Sequence, residues 1–126
     1  MSLQTPLGRV RGLGSAKSGT HHWWMQRVTA VALVPLCLWF VVAMIKLTGA
    51  DHSVAAAWLR SPFNAIVMVL LIIAGFHHMQ LGLQVVIEDY VHGPGTKVVL
   101  MLGQKLLSFT LAIVAVFAVL KIAFGG

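Results

Sequence analysis

From Val28 to Ile45 the chain runs through eighteen residues without an acidic or basic side chain, and from Pro62 to Ile87 it carries no Asp, Glu, Lys or Arg. Runs of that length match a hydrocarbon core about 30 Å thick. A segment surrounded by lipid must satisfy its own backbone hydrogen bonds, so each run reads as a transmembrane helix. A third apolar stretch, Val98 to about Phe124, is longer than a crossing requires, with Lys105 and Lys121 near its ends. Tilt and snorkelling lysines accommodate that excess. The expected fold is therefore an all-α membrane protein with three spans, at about 28–47, 62–87 and 98–124. They form one domain (28–124) behind a polar N-terminal tail and interfacial entrance (1–27). Composition agrees: 59% of residues are hydrophobic and 10% charged, far from the balance of a soluble domain.

Hydrocarbon is a poor place for the pair His77-His78, near the end of the second run. Ionisable groups inside a span are costly and usually functional. At about 100° per residue the two rings face different ways, and Asp89, eleven positions beyond His78, returns to within roughly 20° of the His78 face. Ala74, Gly75 and Gly82 lie one turn either side of His78, whereas Ile73, Ala74, Gln80 and Leu81 flank His77. A flat macrocycle held edge-on to a helix needs bare backbone above and below its ligand. Imidazole is a normal axial ligand of haem iron, so His78 is the better candidate. The competing reading is that small residues let a second helix pack closely, with the imidazole bonding across.

Nine basic residues face three acidic ones, Asp51, Glu88 and Asp89, for a net charge of +6. The cations are scattered at the edges of apolar runs and read as membrane-flanking charges, not as a nucleic-acid surface. Cys37 is alone in an apolar run, which excludes a disulfide within the chain and points to buried packing. No C-x-x-C-H motif occurs, so a haem would be held without covalent attachment.

The first 22 residues are polar and glycine-rich, with Arg9, Arg11 and Lys17 and no acid. Such a segment also suits a transit peptide; with Met1 retained, a cytoplasmic tail lying on a partner is expected. His21-His22-Trp23-Trp24-Met25-Gln26-Arg27 leads into the first span. Its tryptophans belong at headgroup depth, and Arg27 just inside them can snorkel to phosphate. Pro35 is expected to bend this span. Residues 48–61 form a polar connection in which Ala55–Leu59 is read as a helical turn on the membrane surface. Gly93-Pro94-Gly95 is expected to stop any helix and leave 88–97 as a tight loop. Three spans place Arg9, Arg11, Lys17, Arg27, Lys97 and Lys105 on one side and Lys46, Arg60 and Lys121 on the other. The positive-inside bias puts the N-terminus in the cytoplasm. It also gathers Arg27, Glu88, Asp89 and Tyr90 at one interface, with His78 about 15–18 Å deeper at 1.5 Å per residue.

The pattern His78-x-x-x-Gly82 followed by Asp89-Tyr90-Val91 resembles the hydrophobic membrane anchor of succinate dehydrogenase. The stretch His22 to Ala30, in which Arg27 precedes Thr29-Ala30, resembles that subunit's first-span entrance. Length and three-span layout agree over the whole chain; the sharp motifs occupy these two stretches. The resemblance implies that His78 is an axial ligand of haem b, the second ligand coming from the other, cytochrome b anchor subunit. It implies that Arg27 lies near the haem propionates and quinone pocket. Tyr90 would hydrogen-bond a ubiquinone carbonyl, with Asp89 as its acidic neighbour. A flavoprotein with FAD and an iron–sulfur protein would be the soluble partners, so no dicarboxylate chemistry belongs to this chain. A bacterial inner membrane is the implied location, with the mitochondrial inner membrane as the alternative. The departure from the family pattern is His77, which makes a doublet.

These roles are chemically coherent. Reduction of a quinone takes two electrons and two protons, and a phenol or a nearby cation stabilises the oxygen that gains charge. Asp89 could relay protons or could simply end a helix in water. Glu88 reads as plain interface and His92 as an exposed loop residue. Two alternatives stand beside this reading: a quinol-fumarate reductase anchor, and a cofactor-free membrane accessory subunit in which the histidines only pack.

Overall fold

The structure, a computed structural model, describes residues 3, 5–12 and 19–125, and their regular secondary structure is entirely helical. Lys17, one of the cations counted above, lies outside the described residues. Five helices follow in order: α1 (Pro6–Arg11), α2 (Gly19–Lys46), α3 (His52–Arg60), α4 (Pro62–Tyr90) and α5 (Pro94–Ala123). Three of them, α2, α4 and α5, are long and apolar enough to cross a membrane, so the chain is a multi-pass membrane protein.

The short helices form where local chemistry supplies their ends. In α1, Thr5 accepts a hydrogen bond from the Gly8 N–H at 3.0 Å, and Pro6 occupies the first turn, where its missing N–H costs nothing. Gly12 closes it with φ of 67°, a left-handed cap that glycine adopts without strain. The surface turn expected at Ala55–Leu59 extends to a full helix because Asp51 caps α3. Its carboxylate accepts from the Ser53 hydroxyl at 2.7 Å and the Val54 N–H at 3.0 Å. Those two bonds, the hydroxyl first, hold the Asp51 carboxyl below its ordinary range. Trp58 of α3 stacks on Trp39 of α2 with centroids 5.5 Å apart. The Asn64 side chain of α4 donates to the Trp58 carbonyl at 2.9 Å. α3 is thus fastened to both neighbours.

The long helices outrun the spans read from hydropathy. α2 begins nine residues before Val28 and continues unbroken through Pro35. α4 runs to Tyr90 and α5 starts at Pro94, so the loop expected over 88–97 shrinks to Val91–Gly93. Proline is the reason: Pro94 in the first turn of α5 starts a helix instead of stopping one.

α4 lies between α2 and α5 and packs against both. The buried side chains are mostly small: Thr29 and Ala43 on α2, Ala56 on α3, Ala65 on α4 and Ser108 on α5, joined by Leu81 and Val119. Lipid gives no hydrophobic drive for helices to associate, and small residues let backbones approach closely instead. Large apolar side chains point outward, among them Val31, Leu38 and Phe109. Cys37, expected to be buried, is exposed; in a thin three-helix layer most apolar residues of an outer helix face the membrane.

Candidate functional site

The α4 histidines serve opposite neighbours. His78 faces α2, where its Nδ1 lies 3.0 Å from the Thr29 hydroxyl. His77 faces α5 and lines a cavity of about 530 Å³ together with Ile73, Phe76, Gln80 and Ser108. The 100° step between consecutive residues is enough to send the two rings to different helices.

Clearance around His78 differs on its two sides. A methyl group built at Gly82 would meet nothing within 4 Å, whereas one at Gly75 would touch Leu33 of α2 at 4.0 Å. Leu81, one turn away, is buried. The bare surface expected on both sides is therefore present at Gly82 only, while Gly75 lets α2 pack close. A half-buried imidazole tied at one nitrogen, beside open space over Gly82, suits a flat macrocycle approaching from the Gly82 side.

The Thr29–His78 contact also sets the height of α2 against α4. Leu33 beside Gly75 shows that the two helices run antiparallel. Arg27, two residues from Thr29, lies about 3 Å along the axis from the His78 level; Tyr90, twelve residues from His78, lies about 18 Å away on the same side. The gathering of Arg27 with Glu88, Asp89 and Tyr90 expected from sequence is not what the structure places together. Arg27 is level with the histidine, and Asp89 and Tyr90 project past the start of α2. Hydrophobic patterning identifies helix faces, whereas relative height depends on which residues meet.

Arg27 is exposed, and its guanidinium carbon stands 5.3 Å from the Trp23 ring centroid. That is a cation–π contact. Trp23 in turn meets Trp24 edge-on, with centroids 5.2 Å apart. Tyr90 is 77% exposed, and Asp89 is exposed beside it. Glu88 accepts from the Gln84 side chain at 3.1 Å, and its backbone carbonyl from Lys97 at 3.5 Å. Glu88 and Lys97 thereby tie the exit of α4 to the start of α5.

Three polar groups were missed by sequence reasoning. Thr29 is buried and holds the His78 ring. His22 Nε2 and Gln104 Oε1 are buried with no hydrogen-bond partner among the described residues. The available signal for Thr29 was a hydroxyl two residues past the membrane-entry arginine. A threonine inside a helix usually bonds only its own backbone, which makes that signal easy to discount.

Residues 1–120 match the family described as succinate dehydrogenase/fumarate reductase transmembrane subunit. The chain belongs to this family. Among similar proteins, the succinate dehydrogenase hydrophobic membrane anchor subunit of Rickettsia bellii is 35% identical over 111 residues, covering 88% of this chain and 89% of the relative. The protein of the same name from Paracoccus denitrificans is 31% identical over 125 residues, 99% of this chain and 96% of its own. The succinate dehydrogenase membrane anchor subunit of Reclinomonas americana is 38% identical over 87 residues, covering 66% of this chain and 72% of the relative. No solved structure matches the chain. Family membership and the all-helical, three-span fold expected from the sequence both hold.

Proposed function

We propose that this chain is the membrane anchor subunit of succinate:ubiquinone oxidoreductase, supplying His78 as one axial ligand of haem b and Tyr90 to the ubiquinone-reduction site. The observation that carries the reading is the His78 ring, tied at Nδ1 to Thr29 beside the open face at Gly82. A second axial histidine would come from the other anchor subunit. Bound haem supplies a one-electron store within the membrane. Arg27, near the His78 level and stacked on Trp23, would offer a cation to the haem propionates.

At the far end of α4, Tyr90 offers a phenol that donates to a quinone oxygen as it gains electron density, with Asp89 as a carboxylate able to pass protons from water. Their exposure in the single chain fits a pocket whose other walls belong to the iron–sulfur and flavoprotein subunits. Those subunits would carry the iron–sulfur clusters and FAD. The 18 Å or so between His78 and Tyr90 along the helix separates the haem from the quinone head while keeping both on one element. The similar proteins named as succinate dehydrogenase subunits favour succinate oxidation over the reverse direction.

The test is a reduced-minus-oxidised spectrum of the purified complex together with extracted haem. A b-type band and one haem per complex are expected. A complex that oxidises succinate with ubiquinone yet holds no b-type haem overturns the ligand role of His78.

The same reading places the N-terminal tail in the cytoplasm of a bacterial inner membrane. With Cys37 replaced by serine, an Arg9→Cys variant is expected to resist membrane-impermeant thiol reagents in intact cells and to react in inverted vesicles. Labelling from the periplasmic side reverses the topology.

A further inference from the structure

The Thr29 hydroxyl has three close polar neighbours. Its hydroxyl oxygen lies 2.7 Å from the Met25 carbonyl oxygen, 3.1 Å from that of Gln26 and 3.0 Å from His78 Nδ1. A threonine hydroxyl has one proton to donate and two lone pairs to accept with. Carbonyl oxygens accept only, and two oxygens at 2.7 Å repel unless a proton lies between them. The single hydroxyl proton is thus committed to the Thr29 helix's own backbone. Nδ1 of His78 must then carry its own proton and donate it to Thr29. That assignment fixes the ring as the Nδ1–H tautomer and leaves Nε2 with a free lone pair.

We infer that Thr29 is a positioning residue for the haem ligand: it selects the tautomer of His78, fixes the plane of the ring and leaves Nε2 as the nitrogen available to iron. This deepens, and rests on, the reading of His78 as an axial ligand. Metal-bound histidines commonly donate their second N–H to an oxygen, which orients the ring and raises its basicity. What distinguishes this site is the acceptor. Thr29 is 7% exposed and belongs to a different helix from the ligand. The bond therefore couples the ligand's orientation to the packing of α2 on α4. Thr29 is held by two backbone carbonyls one turn below it, so its oxygen has little freedom to follow the imidazole if the ring turns.

The sign of the effect follows. A hydrogen bond accepted from Nδ1–H makes the imidazole a stronger electron donor and favours ferric iron. Removing the acceptor raises the haem midpoint potential and loosens the ligand. Thr29→Val keeps the shape and deletes the hydroxyl, while Thr29→Ser keeps the hydroxyl and deletes a methyl. In the assembled complex, Thr29→Val is expected to shift the midpoint potential upward, alter the low-spin ferric EPR signal and hold haem roughly ten-fold more weakly. Thr29→Ser is expected to stay near wild type in all three. Thr29→Ala, which also lacks the acceptor but cannot crowd the ring, is measured alongside in case valine impairs assembly, and the same upward shift is expected. Wild-type potential and EPR signal in Thr29→Val or Thr29→Ala overturn the inference. So does equal perturbation by Thr29→Ser, which would make the side chain a packing element. A His78→Ala complex separates the two levels: if it retains an unaltered haem, the ligand reading itself fails, whatever Thr29 does.

Discussion

Replacing His78 with alanine is expected to empty the complex of haem b, while His77→Ala leaves haem content near wild type. The two rings are adjacent in sequence but opposed in surroundings. His78 is tied at Nδ1 to Thr29 beside open space at Gly82, whereas His77 lines the groove between α4 and α5. Alanine at 78 removes the only imidazole on that face, and no neighbouring side chain in α4 can take its place without the 100° rotation that separates consecutive residues. Alanine at 77 enlarges a cavity already about 530 Å³ in volume, which affects packing against α5 more than the α2 face. Haem extracted per purified complex decides between them. Retention in the His78 variant with loss in the His77 variant would reverse the assignment.

Tyr90→Phe is expected to lower ubiquinone-dependent turnover on the order of 10²-fold, the scale on which loss of one donor to a developing oxyanion is felt. Succinate oxidation by an artificial acceptor that takes electrons before the quinone site should stay near wild type. The exchange keeps the ring and removes one hydroxyl, and Tyr90 is 77% exposed in the chain, so packing within the subunit hardly changes. Haem content is expected to survive, because Tyr90 lies about 120° around the helix from His78 and some 18 Å along it. A tyrosine serving only as an interfacial anchor would face headgroups. Equal ratios of the two activities in wild type and variant would show that to be its role.

The three spans were legible because a membrane leaves few ways to read long apolar runs. The ends were less so. Pro94 reads as a stop when taken with its flanking glycines, yet a first-turn proline starts α5 and reduces the turn to Val91–Gly93. Thr5-Pro6 and Asp51 carried usable capping signals for α1 and α3. Periodicity told His77 from His78 by face but could not say which helix lay on each side. Nor could it give the height of one helix against another. Arg27 therefore appeared grouped with Tyr90 in the sequence, and only the contact between Thr29 and His78 sets its height near that of the histidine.

A link of only three residues, Val91 to Gly93, makes α4 and α5 a helical hairpin for the purposes of membrane insertion. So short a link holds the end of α4 and the start of α5 at one depth. In the proposed topology the tip of the hairpin, with Glu88, Asp89 and Lys97, never leaves the cytoplasm. What must be translocated is the opposite end: the connection bearing Asp51 and Arg60, and the end of α5 with Lys121. Charges dragged across hydrocarbon are the costly part of insertion, and this chain concentrates its acids at the end that stays behind.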